Sequence, residues 1–106
     1  KTAYEMLRSL VGSEMCIETV EGHTDNLPIR TAQYPSNWEL SAARAARVLR
    51  YLVQRGGIPS HRLIAVGYAD TRPLAPNNSP VNRAQNRRVD IAILKTSQNA
   101  LRFGSR

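Results

Sequence analysis

Residues 22–45 read GHTDNLPIRTAQYPSNWELSAARA, and they set an acid, Asp25, just after a predicted strand and a base, Arg44, on the helix that follows. Between them, Leu27 to Pro35 carries two prolines and no periodicity, the mark of a loop. Ser36-Asn37-Trp38-Glu39 has the form of a capping box, with the Ser36 hydroxyl expected to accept from the Glu39 N–H and the Glu39 side chain to return to the Ser36 N–H. A helix therefore starts at Ser36. It is predicted to run to about Arg55, because Gly56-Gly57 supplies a left-handed closing residue and Pro59 blocks continuation. At about 100° per residue, Trp38, Ala42, Ala45, Leu49, Leu52 and Val53 share one face and are expected in the core. Leu40, Arg44, Arg47, Tyr51 and Arg55 share another, which leaves Arg44 off the core stripe and able to reach a ligand.

Outward from this unit, Cys16 to Glu21 is rich in β-branched residues and reads as a strand, although its alternation is untidy. Leu63 to Tyr68 (LIAVGY) is nearly continuous in apolar residues and is expected to be a central strand covered on both faces. Strand, helix and strand make a βαβ unit. Asp70 to Val81, with three prolines and two consecutive asparagines, is a long loop, and Asn82 to Arg87 adds a helical turn. Val89, Ile91 and Ile93 alternate with Arg88, Asp90 and Ala92 in a half-buried last strand. At the front, Met6, Leu7, Leu10 and Val11 fall at helical spacing, so residues 3–11 are expected to form a short helix. From Thr96 the composition turns polar and a frayed end is expected. The fold class is an α/β (α+β) two-layer sandwich: a small mixed sheet with helices packed on one face. The chain divides into a short helical segment at 1–16, a domain at 17–94 and a polar tail at 95–106.

The 106 residues suffice for one core, and 42% hydrophobic against 22% charged residues belongs to a folded domain, not a disordered tail. No apolar run approaches the ~20 residues of a membrane span. The chain begins at Lys1, so a longer protein with its anchor or export signal outside these residues is expected. Fifteen Lys and Arg against eight Asp and Glu give +7, which favours anionic partners without choosing among them. The lone Cys16 forms no internal disulfide.

In open α/β folds ligands sit beyond the carboxyl ends of the strands, where residues 22–26 lie. One carboxylate facing one guanidinium suits a ligand that carries both charges, such as the free end of a diamino acid. The helix start near Asn37 also favours an anion. The plainer alternative is that Asp25 caps a turn and Arg44 is a solvated helix charge. His23 invites a catalytic or metal reading, but His61 and Cys16 stand at no ligand-like spacing from it, no G-x-S-x-G elbow is present, and neither a metal nor a cofactor is expected. A structural His23, hydrogen-bonding across the loop, is the preferred reading. By strand parity Arg87 points with Val89 toward the helices, to pair with a buried acid or line the pocket; Arg88 points away with Asp90, to pair with it or stay solvated. Nucleic-acid binding is the rival that the charge raises. The six aromatics do not alternate with basic residues as a base-stacking platform requires, and no glycine-rich phosphate loop occurs, so no nucleic-acid partner is expected.

GHTDN, YPSNWELSAARA, VGYADTRP and NRAQNRRVDI, in this order, resemble the OmpA-like peptidoglycan-binding domain, and the long NLPIRTAQYPSNWELS connection is similar to that of the flagellar motor stator B subunits, the MotB family. The resemblance covers about residues 17–94. It implies a non-catalytic domain that holds the meso-diaminopimelate of the peptidoglycan stem peptide, with Asp25 facing the ligand ammonium and Arg44 its carboxylate. It further implies that Thr24, Asn37 and Leu40 line the same pocket, with Arg87 in the family's NRR signature beside it. For the whole protein it implies a homodimeric periplasmic domain on an inner-membrane anchor, working with a stator A subunit; another envelope protein of the same domain type is the alternative. Two departures stand out: Glu18 falls where an apolar residue is usual, and Ala69 where many members have glycine.

Overall fold

The computed structural model describes residues 16–95 and 100–105. The expected helix over 3–11 lies outside the described residues. Strand β1 spans Cys16–His23, helix α1 Asn37–Gln54, β2 Leu63–Gly67, α2 Pro80–Asn86, β3 Arg88–Lys95 and β4 Ala100–Ser105. The four strands form one mixed sheet in the order β2-β1-β3-β4. β1 runs parallel to β2, as a βαβ unit requires, and antiparallel to β3, which in turn pairs antiparallel with β4.

The frayed end expected from Thr96 is thus corrected: residues 100–105 add an edge strand, with Ile91 opposite Phe103 and Val89 opposite Ser105. A stretch with only two large apolar residues gives a weak strand signal, and its pairing with β3 supplies the order that composition alone does not show. LIAVGY is corrected too. β2 lies at the edge of the sheet, and Ile64 is 50% exposed where a central strand would bury it.

Helix α1 covers one face. Val20, Leu63, Val89, Ile91 and Ile93 from the strands meet Ala45 and Leu52 of the helix and Ile58 beyond it, with Val48, Leu49 and Val53 packed against this core. The alternation predicted for β3 is observed, Val89, Ile91 and Ile93 being buried. The predicted helix stripe shifts at its front end. Ser41 is fully buried and Leu40 nearly so, whereas Trp38 is 54% exposed and Ala42 also lies outward.

The cause is a close approach of backbone to backbone. A Cβ on Gly22, near the end of β1, would lie 2.0 Å from the carbonyl oxygen of Ser41, and one on Gly67, the last residue of β2, 2.7 Å from the backbone nitrogen of Ala42. Only glycine permits that contact. Because residues 41 and 42 sit over the strand ends, the first turn of α1 overhangs the sheet, and Trp38 has no strand beneath it to pack on.

The helix termini follow the sequence signals, with one change of partner. Ser36 caps α1 by accepting from the Trp38 N–H at 3.2 Å in place of the Glu39 N–H, and its hydroxyl donates to the Glu39 carboxylate. That bond, with backbone N–H groups of Glu39 and Ser36, holds the Glu39 carboxyl below the usual carboxylate range. At the other end Gly57 adopts φ +68° and the Ile58 N–H bonds back to the Leu52 carbonyl. Ser79 caps α2 through the Asn82 N–H, with Pro80 in the first turn, so the expected turn from Asn82 is extended forward by two residues.

Glu18 lies on the helix-covered side of β1 with Val20 and is fully buried, and neither carboxylate oxygen has a hydrogen-bond partner among the described residues. Burial pushes its pKa up, partly offset by the Arg62 guanidinium. The unfolded chain releases this proton near the ordinary 4.5 while the folded chain retains it to higher pH, so folding stability falls as pH rises from 4.5 through the folded value. Glu18→Leu is expected to exceed the parent in stability at pH 7 by on the order of 1–3 kcal/mol, and by less at pH 4.5, in urea unfolding. In the same assay Gly22→Ala should cost about 3 kcal/mol or more, because backbone must move. Gly57→Ala, with open space around it, should cost only about 1 kcal/mol for its left-handed φ.

Candidate functional site

The chain leaves β1 at His23 and turns at once into the loop that carries Asp25. Thr24 is tied to the β2 side by its N–H to the Ala69 carbonyl at 2.9 Å, and its hydroxyl donates to the Asp25 carbonyl. Ala69 itself has φ +54° and its N–H donates to the Ser41 hydroxyl at 3.0 Å. Glycine adopts such a left-handed backbone at less cost than alanine. From the helix side, the Asn37 amide donates to the carbonyls of Leu27 at 3.1 Å and Asp25 at 3.4 Å. The loop is therefore held from both neighbours, and Asp25 is fixed in place.

The Asp25 carboxylate is buried yet satisfied. One oxygen accepts the Leu27 N–H at 3.0 Å, closing a turn, and the other is 2.6 Å from an Arg87 guanidinium nitrogen. Arg87 follows α2 and reaches across to the loop with its side chain 44% exposed. Of the two outcomes expected for Arg87, pairing with a buried acid or lining the pocket, both occur.

A cavity of about 260 Å³ opens here, lined by Thr24, Asp25, Leu27, Pro28, Ile29, Asn37, Leu40, Arg44 and Arg87. All six residues singled out from the sequence (Thr24, Asp25, Asn37, Leu40, Arg44 and Arg87) line this one space. Arg44 projects from α1 one turn beyond Leu40, half-buried. The wall is thus one carboxylate, two guanidinium groups and an apolar lip from Leu27, Pro28, Ile29 and Leu40. The loop side of this lip was missed from the sequence, although Leu27-Pro28-Ile29 is an apolar run inside an otherwise polar loop. A larger, more open depression of about 420 Å³ lies along α1 between Gln33, Tyr34, Ala43, Ala46, Arg47 and Arg50. It has no acid in its wall, and its Arg47 is engaged with the Tyr34 hydroxyl at 2.9 Å.

Asn86, another residue the sequence reading passed over, is fully buried and holds the long loop after β2. Its side-chain oxygen accepts from the N–H groups of Leu74 and Ala75, and its amide donates to the Ala75 carbonyl and to Asn77. Four bonds to one side chain fix the base of α2, and with it the position from which Arg87 departs.

His23 is corrected. It does not hydrogen-bond across the loop: as the last residue of β1 it points to the sheet face opposite α1, 2% exposed, where it stacks on Tyr68 with ring centroids 5.3 Å apart. Arg72 lies over the same tyrosine ring. Burial and the nearby Arg88 lower the imidazole pKa, opposed by Asp90 and Glu21. Arg88 behaves as parity predicts, its Nε donating to Asp90 at 3.0 Å, but it is buried, not solvated.

The OmpA family model matches residues 5–87 of the chain. The Bacillus subtilis protein YtxE is 54% identical over 77 residues, 73% of this chain and 32% of its own length. Motility protein B of Helicobacter pylori is 44% identical over 82 residues, 77% of this chain and 31% of that one. The peptidoglycan-binding protein ArfA of Mycobacterium tuberculosis is 43% identical over 75 residues, 71% and 22% of the two chains. Among solved structures, the periplasmic domain of Helicobacter pylori MotB superposes with a TM-score of 0.76 at 33% identity, covering 88% of this chain and 56% of that one. The cell wall anchor of the type VI secretion system from Pseudomonas aeruginosa gives 0.72 at 40%, covering 87% and 63%. The chain spans a third or less of the length of these curated relatives.

Proposed function

Because the chain belongs to the OmpA family, we propose that it binds the bacterial cell wall without chemistry, clasping the zwitterionic end of meso-diaminopimelate in the peptidoglycan stem peptide. The observation that carries this reading is the shared cavity of Asp25, Arg44 and Arg87. A ligand ammonium is matched by Asp25, and its carboxylate by a guanidinium, each as a charge-assisted hydrogen bond in a partly dry pocket. Asp25 comes already oriented by the Leu27 N–H, so little is lost in ordering it. Arg87 pairs with Asp25 until the ligand arrives; the ammonium then shares the carboxylate, and Arg87 is free to turn to a ligand carboxylate. The apolar lip accommodates the methylenes between the two ends.

One carboxylate and two guanidinium groups beside an apolar lip suit the binding of a ligand that carries both charges. The names of two similar proteins agree with this, one being a peptidoglycan-binding protein and another a cell wall anchor. Likeness to motility protein B over the same stretch supports a narrower role: a periplasmic domain that ties a flagellar stator, dimeric and joined to an A subunit, to the wall. The secretion-system anchor, at 40% identity, supports a wall anchor for another envelope machine as the second reading. Both readings share the same ligand. No helix among the described residues is long and apolar enough to cross a membrane.

Purified chain should co-sediment with sacculi of the diaminopimelate type. Asp25→Ala and Arg44→Ala, checked for unchanged unfolding midpoints, should each weaken retention about tenfold or more, equivalent to ~1–3 kcal/mol. Retention equal to the parent would remove the assignment of these residues.

A further inference from the structure

On the sheet face opposite α1, β1 and β3 place Glu21 directly across from Asp90, and His23 across from Arg88. His23 Nε2 lies 3.6 Å from an Asp90 carboxylate oxygen and 4.0 Å from one of Glu21. One donor atom from each of the three residues falls within 4.8 Å of the others. The sequence spacing that shows no ligand set around His23 is overcome by strand pairing, which joins residues 21 and 23 to residue 90.

We infer that Glu21, His23 and Asp90 form a site for a single divalent transition-metal ion of the zinc class. The geometry is close to what such an ion requires. Bonds of about 2.0–2.2 Å in a tetrahedron put donors roughly 3.3–3.6 Å apart. The histidine–aspartate separation of 3.6 Å already fits, the glutamate has to close from 4.0 Å on the imidazole, and the widest separation in the set, within 4.8 Å, has to close by about 1 Å. The second observation is the imidazole itself. It is 98% buried, and neither ring nitrogen has a hydrogen-bond partner among the described residues, although Nε2 is aimed at both carboxylates. A buried ring with two unsatisfied nitrogens costs stability unless something occupies the space it faces. A cation there gives Nε2 a partner and draws the two carboxylates in.

The surroundings suit a held ion. Tyr68 stacks on the imidazole and fixes its plane. Arg88 donates to Oδ2 of Asp90, the same oxygen that faces the imidazole, and is itself held by the Asn86 and Arg72 carbonyls, so that oxygen is fixed in position. Asp90 is the most exposed of the three, with 18% of its side chain accessible, and gives a path for entry and for a water as fourth ligand. The site is distinct from the Asp25 cavity, which lies beyond the strand ends, and its role is to brace the root of the loop that carries Asp25.

The test is zinc binding to EDTA-stripped chain in a Cys16→Ser background, by isothermal titration and by thermal unfolding, with Co²⁺ absorption as a report of tetrahedral ligation. One equivalent of Zn²⁺ should bind saturably and raise the unfolding midpoint. Asp90→Asn and Glu21→Gln, which keep side-chain volume, should each lower affinity at least tenfold, while His61→Ala should leave it unchanged. Absence of saturable binding by the parent, or equal affinity in both carboxamide variants, would overturn the assignment, as would loss of binding on His61→Ala. Retention of sacculi plays no part in the readout, so its outcome is independent of the proposed wall binding.

Discussion

The contact between the backbone of α1 and the glycines at the ends of β1 and β2 governs the rest of the structure. Ser41 and Ala42 lie where Cβ atoms of Gly22 and Gly67 would be, so the helix is set lower and further forward than side-chain packing permits. Ser41 completes the junction by accepting the Ala69 N–H and donating to the Trp38 carbonyl. Everything N-terminal to residue 41 then hangs past the sheet. Asn37 reaches down to the loop carbonyls, and Leu40 and Arg44 form one wall of a cavity whose other wall is the loop after β1. Site and core are parts of one packing solution.

The electrostatics follow from that placement. Asp25 is buried, which would be costly for an unpaired carboxylate, but the Leu27 N–H and Arg87 share its charge. Arg87 in turn is positioned from α2, whose base is fixed by Asn86. The acid, with its partner and the loop both anchored, is held in place at the cavity wall. Elsewhere the sheet carries polar groups less well served: Glu18 under the helix and His23 on the opposite face are buried without hydrogen-bond partners among the described residues. Buried groups of this kind are exceptions in folded proteins and mark places where stability has been given up.

Much of this was legible in the chain. Ser36 and Gly57 announced the ends of α1, because capping is local chemistry read from a few residues. The period of two in Val89, Ile91 and Ile93 identified the buried side of β3. Five of the six site residues come together because strand end, loop and helix face are set by signals within a single βαβ unit, and Arg87 joins them from the end of α2. What the sequence hid was long-range. That LIAVGY lies at an edge depends on sheet order, not on its own hydrophobicity. Trp38 reads as core until the overhang of the helix is known. The grouping of Glu21 and His23 with Asp90 is set by register between strands about seventy residues apart, and no local pattern reports register. β4 was invisible for the same reason, its order coming from β3.

The most direct measurement of the central claim is a ¹⁵N-resolved titration of the chain with a muramyl tripeptide carrying meso-diaminopimelate, and with its L-lysine counterpart. The account predicts saturable shifts confined to the Leu27 amide and the side-chain Nε signals of Arg44 and Arg87, strong for diaminopimelate and at least tenfold weaker for lysine, which lacks the second carboxylate. Shifts centred instead on the depression at Tyr34 and Arg47, or equal affinity for the two peptides, would contradict it.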